Sequence, residues 1–123
     1  MIVGIGNDIV EIKRFENIKN IELFIEKYYT GEEINASGGR ISFFAANFSV
    51  KESVSKMFGT GIRNFGLKDI EVLRDELGKP YVNLYGKAKE IAENRGINNI
   101  LVSISDTDSY VTTVAIGEKA EWV

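Results

Sequence analysis

Hydrophobic positions along the chain follow two periods, and each period predicts a different kind of element. Segments rich in β-branched and other apolar residues predict strands, and they are residues 2–12, 67–73, 80–84, 100–105 and 110–116. Apolar side chains recur near helical spacing in three other segments, residues 14–29, 40–58 and 86–95. Because Asn17 and Asn20 interrupt the first of these, we predict one or two short helices there, whereas residues 40–58 are predicted to form the longest helix.

Capping and turn residues mark the boundaries between these segments. Thr30-Gly31-Glu32-Glu33 has the form of a capping box, whose hydroxyl and carboxylate satisfy free amides at a helix start, and it predicts a short helix to about Ala36. A turn at 75–78 precedes the strand that begins at Pro80, and residues 106–109 separate the two C-terminal strands, so two antiparallel strand pairs are expected. These elements predict an α+β fold in which a mostly antiparallel sheet packs on the long helix.

Size and charge narrow the class of protein. The chain has 123 residues and a mass of 13.7 kDa, so we expect residues 1–123 to form a single domain. The net charge of -3 and the pI near 5.1 argue against a nucleic-acid partner, which usually binds a basic face. No apolar run approaches the roughly 20 residues that span a bilayer, and the start does not read as a signal peptide, so a soluble, cytoplasmic protein without membrane contact is expected.

Two residue types are missing, and their absence limits the chemistry. Without cysteine, the chain offers neither disulfides nor a thiolate nucleophile or zinc ligand. Without histidine, it offers no Ser-His triad, no imidazole base and no imidazole metal ligand. Proton transfer is left to Asp, Glu, Lys, Tyr or water, and any metal is expected to have oxygen ligands.

The long helix contains a short polar motif. Glu52 and Lys56 are four residues apart and so share one helix face, together with Ser49 and Ser53. The side chains predicted to face the core are Phe44, Phe48 and Met57. Taken by itself, such a Glu–Lys pair is usually an exposed ion pair of small energy, about 0.3–0.5 kcal/mol.

An aspartate in the first predicted strand adds a second carboxylate to this motif. Gly4 and Gly6 indicate close backbone approach or a bend just before Asp8. Two carboxylates from different elements and an adjacent lysine are what a protein needs to hold a divalent metal against a phosphate oxygen. Gly59-Thr60-Gly61, directly after the helix, can present backbone amides to an anion, although an isolated Asp8 also fits a turn and the glycines also fit a helix stop.

The order and the residues of these sequence blocks resemble those of the holo-acyl-carrier-protein synthases of the small bacterial class. The matching blocks are GIGxDIVEIxR at Gly4–Arg14, FxxKExxxK at Phe48–Lys56, GTGI at Gly59–Ile62, DIEV at Asp69–Val72, LGKPY at Leu77–Tyr81 and SIS-x-T at Ser103–Thr107. The resemblance implies the 4'-phosphopantetheinyl transferase fold and transfer of the 4'-phosphopantetheine arm of coenzyme A to a serine of an acyl carrier protein, with release of adenosine 3',5'-bisphosphate. It further implies a magnesium cofactor and a homotrimer with sites between neighbouring subunits, so that Asp8 and the helix bearing Glu52 would come from different chains.

The resemblance also implies roles for individual residues. Asp8 and Glu52 would bind Mg²⁺, Lys56 would offset charge on the pyrophosphate and leaving group, and either Glu52 or a metal-bound water would take the serine proton. The nucleotide pocket would be lined by Lys51, Lys56, Gly59, Thr60, Gly61, Lys79, Pro80 and Asp106. Lys13 and Arg14 would meet the acidic surface of the carrier protein in a salt-sensitive contact.

The chain departs from the family pattern at the nucleotide pocket. Asp106 stands where the family usually has histidine, and Ser42 and Asn47 stand where relatives commonly carry glutamate and arginine. The metal carboxylates and Lys56 are kept, so we predict an active synthase with an altered pocket. Two alternatives remain open: a homologue that binds coenzyme A or a carrier protein with weakened catalysis, and, if the resemblance is set aside, a magnesium-dependent phosphatase or nucleotide hydrolase.

Overall fold

The predicted helices and strands form, with boundaries that differ by a few residues. A computed structural model describes residues 1–59 and 65–121. Its elements are β1 (Ile2–Glu11), α1 (Ile12–Glu16), α2 (Ile21–Tyr28), α3 (Gly31–Ser37), α4 (Ile41–Phe58), β2 (Ile70–Arg74), β3 (Pro80–Leu84), α5 (Gly86–Asn94), β4 (Asn99–Asp106) and β5 (Tyr110–Glu118). One boundary was wrong: Leu67–Asp69, predicted to begin a strand, forms a 3-10 turn that leads into β2.

Both predicted hairpins are present, and β1 adds to one of them. β2 and β3 form a two-stranded antiparallel sheet, and β4 and β5 pair within a three-stranded sheet of order β1-β5-β4. All pairings are antiparallel, which confirms the α+β fold class. In the larger sheet Asp8 lies opposite Thr113, so β5 fixes the position of the candidate metal ligand.

Helix α4 lies directly against β1 because glycines remove the side chains that would separate them. A Cβ added at Gly6 would overlap the carbonyl oxygen of Ser53, and one added at Gly4 would overlap the carbonyl oxygen of Met57. Residues two apart on a strand share a face, so Gly4, Gly6 and Asp8 all face the helix. The close approach predicted for the two glycines is therefore confirmed, and it brings the Asp8 side chain against α4.

Fewer residues of the predicted polar face of α4 reach the surface than the sequence indicated. Ser49 and Ser53 are buried, and their hydroxyls bond to the Thr113 hydroxyl of β5 at 2.8 and 2.6 Å. Both serines are therefore satisfied by Thr113 across the helix–sheet contact and do not accompany Glu52 and Lys56 at the surface. Phe44 and Met57 are buried as predicted, whereas Phe48 stays partly exposed.

Helices α3 and α4 are bounded by different local signals. The capping box is formed at α3, where the Thr30 hydroxyl accepts from the Glu33 amide and the Glu33 carboxylate accepts from the Thr30 amide. After the Ser37–Gly39 break, α4 runs to Phe58 and ends at Gly59, whose φ of 79° places it in the left-handed region. In the described part of the chain, no helix has the length and apolarity to cross a bilayer.

Candidate active site

Asp8 and Lys56 form an ion pair between β1 and α4. The Lys56 Nζ donates to Asp8 Oδ1 at 3.3 Å, with the aspartate side chain only 14% exposed and the lysine side chain 53% exposed. The second carboxylate oxygen, Asp8 Oδ2, is buried and has no hydrogen-bond partner. A buried, unsatisfied carboxylate oxygen is costly, and a cation is the partner that suits it.

Glu52 lies one helical turn before Lys56, and the negative charge of Asp8 acts on its carboxylate. Its pKa is raised above the usual value, first by burial and then by the negative charge of Asp8, while Lys56 opposes the shift. Two carboxylates that repel each other beside an unsatisfied oxygen fit a divalent cation with oxygen ligands. Among residues 1–59 and 65–121 no cluster of three or more acidic side chains forms, so water and substrate oxygens would complete the coordination.

The placement of Asp8 corrects one expectation from the resemblance. The expectation was that Asp8 and the helix bearing Glu52 come from different chains. Asp8 instead pairs with Lys56 and influences Glu52 within one chain. The carboxylate pair is therefore assembled by the β1–α4 contact and needs no neighbour to bring its two members together.

Lys51 lies in the core and not at a surface where a phosphate could reach it, so its predicted phosphate contact is wrong. Its side chain is fully buried, and its ammonium donates to Glu33 Oε1 at 2.8 Å, to the Leu67 carbonyl at 3.0 Å and to the Ile70 carbonyl. Burial lowers the pKa of Lys51, and the adjacent Glu33 carboxylate opposes that shift. Three acceptors leave the ammonium no free donor, so Lys51 is a structural cation in the core.

An apolar pocket of about 320 Å³ opens beside Glu52. Phe24, Tyr28 and Phe48 form its aromatic wall, and their rings pack edge-to-face or tilted, with centroids 4.8 Å apart for Phe24–Tyr28 and 6.1 Å for Phe24–Phe48. Aromatic walls of this kind receive apolar groups. The pocket thus offers an apolar surface next to a carboxylate of raised pKa.

A larger groove of about 900 Å³ lies along the first half of α4 and the β2–β3 hairpin. Pro80 and Asp106, both predicted to line the nucleotide pocket, lie in its wall. Lys79 borders a smaller pocket of about 230 Å³ beside β4, which Pro80 also lines. Gly59 follows α4 three residues after Lys56, and Thr60 and Gly61 lie outside the described residues.

Two arginines in this groove were not predicted. Arg40 and Arg74 both line it, and both guanidinium groups lie over the ring of Phe43, at 5.7 and 4.8 Å from its centroid. The i, i+3 spacing of Arg40 and Phe43 is a local signal that could have identified the first arginine. Arg74 reaches Phe43 from another element, which no local spacing reveals.

The groove and the carboxylate pair use different faces of α4. Phe43 and Glu52 are nine residues apart, which places them about 13 Å apart along the axis and on opposite sides of the helix. Lys13 and Arg14, the predicted carrier contacts, are exposed on α1, which directly follows β1. The predicted residues are therefore distributed over three surfaces, of which the β1–α4 contact holds the ion pair and both metal candidates.

Comparisons with known proteins agree on one family. The family described as the 4'-phosphopantetheinyl transferase superfamily matches residues 4–115. A holo-acyl-carrier-protein synthase of Lachnoclostridium phytofermentans is 48% identical over 118 residues, covering 96% of this chain and 97% of that protein.

Solved structures of such synthases have the same fold. The enzyme of Neisseria meningitidis superposes with a TM-score of 0.86 at 36% identity, covering 97% of this chain and 100% of that one. The enzyme of Bacillus anthracis in complex with coenzyme A (3',5'-ADP) gives a TM-score of 0.80 at 32% identity, covering 98% and 99%.

Proposed function

The chain belongs to the 4'-phosphopantetheinyl transferase superfamily, and from this premise we propose that its β1–α4 contact is the catalytic centre. The enzyme transfers the 4'-phosphopantetheine group of coenzyme A to a serine of apo-acyl carrier protein and releases adenosine 3',5'-bisphosphate. The observation that supports the proposed centre is the constellation of Asp8, Glu52 and Lys56, with Asp8 Oδ2 buried and unpartnered.

Asp8 and Glu52 would hold Mg²⁺. When bound, the metal offsets charge on the pyrophosphate and polarises the phosphorus under attack. The same two carboxylates are the residues whose mutual repulsion a divalent cation relieves. Mg²⁺ keeps several non-protein ligands in such sites, which suits a centre with two protein carboxylates.

The remaining steps are assigned to side chains of this chain. The carrier serine Oγ forms a new bond to the phosphorus that bears pantetheine, and the anhydride bond to the 5'-phosphate of adenosine 3',5'-bisphosphate breaks. Glu52 accepts the serine proton, a role favoured by its raised pKa. Lys56, half exposed at the rim, offsets the charge that develops on the departing 5'-phosphate oxygen.

The carrier protein would approach over α1 and the aromatic pocket. Lys13 and Arg14 present cationic side chains there, and the pocket of Phe24, Tyr28 and Phe48 lies next to Glu52. Acyl carrier proteins are acidic, so this contact should act mainly on the association rate and weaken with salt. An Arg14→Glu variant is expected to raise KM for the carrier at low salt, and an unchanged KM would remove Arg14 from the contact.

We also propose a homotrimer in which the nucleotide groove of one subunit faces the carboxylates of the next. The sheet face opposite α4 carries a row of apolar side chains, Ile5, Ile116 and Leu101, which are cross-strand neighbours. Ile5 is 65% and Leu101 44% exposed in the isolated chain, as expected of a surface that another copy covers. Sedimentation of wild type and Ile5→Glu tests this: a trimer and a monomer are expected, whereas a monomeric wild type would reject it.

Intact-mass spectrometry of apo-acyl carrier protein tests the function. The carrier is mixed with the enzyme, coenzyme A and Mg²⁺, with EDTA, Asp8→Ala and the exposed-turn variant Asp108→Ala as comparisons. A gain of one phosphopantetheine arm in wild type and Asp108→Ala, lost with EDTA or Asp8→Ala, is expected. No gain with coenzyme A still bound would instead favour a binding homologue, and phosphate release without carrier would favour a hydrolase.

A further inference from the structure

Three buried hydroxyl groups join α4 to β5 next to the proposed catalytic centre. Thr113 Oγ1 lies 2.8 Å from Ser49 Oγ and 2.6 Å from Ser53 Oγ. The Ser53 hydroxyl also lies 3.3 Å from the carbonyl oxygen of Thr113. None of the three residues is more than 3% exposed, so these hydroxyls must find their hydrogen-bond partners within the protein.

One arrangement of hydrogens satisfies the whole cluster. Ser49 donates to Thr113 Oγ1, Thr113 donates to Ser53 Oγ, and Ser53 donates to the carbonyl oxygen of Thr113. Each hydroxyl has a single hydrogen to donate, and this arrangement uses all three. Because Thr113 Oγ1 takes part in two of the three bonds, removing that one atom separates both serines from the strand.

The cluster connects the two elements that carry the proposed metal ligands. Thr113 is the cross-strand partner of Asp8, and directly opposed residues of an antiparallel pair point to the same face of the sheet. On α4, Ser53 directly follows Glu52, and Ser49 lies three residues before it. The hydroxyl bonds therefore hold the helical turn that carries Glu52 against the strand position beside Asp8.

The hydroxyl cluster and the β1 glycines restrain different motions of α4. Gly4 and Gly6 set how closely the helix approaches β1, because a Cβ at either position would overlap its backbone. Such contacts depend on distance alone, whereas hydrogen bonds also depend on angle. A rotation of α4 about its own axis that kept the helix–sheet spacing would break the Thr113 bonds and move Glu52 relative to Asp8.

We infer that Thr113 is a positioning residue for the metal centre. Its hydroxyl, acting through Ser49 and Ser53, sets the rotation of α4 on the sheet. That rotation in turn sets the separation of the Asp8 and Glu52 carboxylates that would hold Mg²⁺. The inference rests on the proposed function. Groups that orient metal ligands from outside the coordination sphere typically change metal affinity or activity about 10- to 100-fold when they are removed.

Calorimetric titration with Mg²⁺ tests the inference without requiring activity. Thr113→Val removes the hydroxyl and keeps a β-branched side chain, whereas Thr113→Ser removes only the methyl group. Ser55→Ala is the matched control, because Ser55 is a buried serine of α4 whose hydroxyl donates to the Lys51 carbonyl of the same helix at 2.8 Å. Thr113→Val is expected to weaken Mg²⁺ binding about tenfold, and the other two variants less than about twofold.

Thermal melts in EDTA separate positioning from stability. Thr113→Val leaves buried hydroxyls without a partner and Thr113→Ser loses a buried methyl group, so both should melt below wild type. A purely structural role predicts that Mg²⁺ affinity falls in the order of Tm. Positioning predicts instead that affinity follows the hydroxyl, so that Thr113→Ser binds Mg²⁺ like wild type at a lower Tm.

A serine variant keeps the test valid if Thr113→Val does not fold. Ser53→Ala removes two bonds of the cluster and leaves the strand unchanged, so it should weaken Mg²⁺ binding more than Ser55→Ala does. Wild-type affinity in Thr113→Val would overturn the inference. So would an equal loss in Thr113→Ser or Ser55→Ala, or the absence of Mg²⁺ binding by wild type.

Carrier modification distinguishes failure of this inference from failure of the function. Initial rates are measured against Mg²⁺ concentration, and Thr113→Val is expected to need more Mg²⁺ for its half-maximal rate. If wild type modifies the carrier and Thr113→Val has the same Mg²⁺ requirement, the positioning role is rejected and the transferase function stands. If wild type binds Mg²⁺ but modifies no carrier, the function fails, and the calorimetric comparison still decides the role of Thr113.

Discussion

Gly6→Ala is expected to loosen the β1–α4 contact that assembles the proposed catalytic centre. The added methyl would overlap the Ser53 carbonyl oxygen and lie 2.6 Å from the Met57 nitrogen. Both are backbone atoms of α4, so a rotamer change cannot make room and the helix must move away from β1. Asp8 lies two residues along the same strand face, so its carboxylate should move away from Glu52 and Lys56.

The expected magnitude follows from the atoms that must move. Overpacking a close contact costs about 1–3 kcal/mol, and replacing glycine by alanine returns about 0.4–1 kcal/mol through the unfolded state. A net loss of about 1–2 kcal/mol corresponds to roughly 4–12 °C in Tm for a domain of this size. Transferase activity should fall further than stability predicts, because the distances among Asp8, Glu52 and Lys56 change in the folded molecules as well.

Gly31→Ala is the matched control for this experiment. Gly31 is the first residue of α3, its φ is not positive, and a Cβ there meets no atom within 4 Å. Its Tm is therefore expected to stay the same or rise slightly. Thermal melts by circular dichroism and carrier modification are measured for both variants. Equal melting temperatures and equal activities would refute the claim that glycine contacts set the site geometry.

Three further predictions test the charges of the site and the core. Glu52→Gln should raise Tm at neutral pH in EDTA, because a carboxylate with a raised pKa loses its stabilising contribution as pH rises through that pKa. In Mg²⁺ the wild type should instead have the higher Tm. An unchanged Tm in EDTA would contradict the repulsion between Glu52 and Asp8. Lys51→Met should lower the free energy of unfolding in urea by about 3–5 kcal/mol, because it leaves Glu33 buried without its partner, and adding Glu33→Gln should restore part of the loss. A loss below about 1 kcal/mol in the single variant would show that the pair does not stabilise the core. If the Asp106 carboxylate repels phosphate, Asp106→His and Asp106→Asn should both lower KM for coenzyme A, and the histidine variant should have the lower KM of the two. An unchanged KM in both variants would show that Asp106 does not face the nucleotide.

Features encoded by local spacing were predicted well from the sequence. The capping box at Thr30 and Glu33 depends on residues three apart, and both of its bonds form. The glycines of β1 alternate with the period of a strand, and both face the helix as a close approach requires. In these cases the sequence signal lies within a single element, so a local pattern predicts the feature.

Contacts between distant elements could not be predicted in the same way. Lys51 and Glu52 are adjacent in sequence, yet Lys51 faces a core carboxylate 18 residues away while Glu52 stays near the surface. The helical period alone does not determine which face of α4 packs against the sheet. The contact with the glycines of β1 determines it. The bond between Arg74 and Asn47 likewise depends on how β2 docks against α4, which determines where the cations of the groove lie.

The pairing of β1 with β5 has a consequence for synthesis of the protein. Asp8 and its cross-strand neighbour Thr113 are about 100 residues apart, so at about 5–20 residues per second the ribosome needs roughly 5–20 s between them. During that interval the edge of β1 that will bond to β5 has no strand to pair with, and such an edge can pair with other chains. The strand that bears Asp8 therefore keeps an unpaired edge until residues 110–118 have been synthesised and can pair with it.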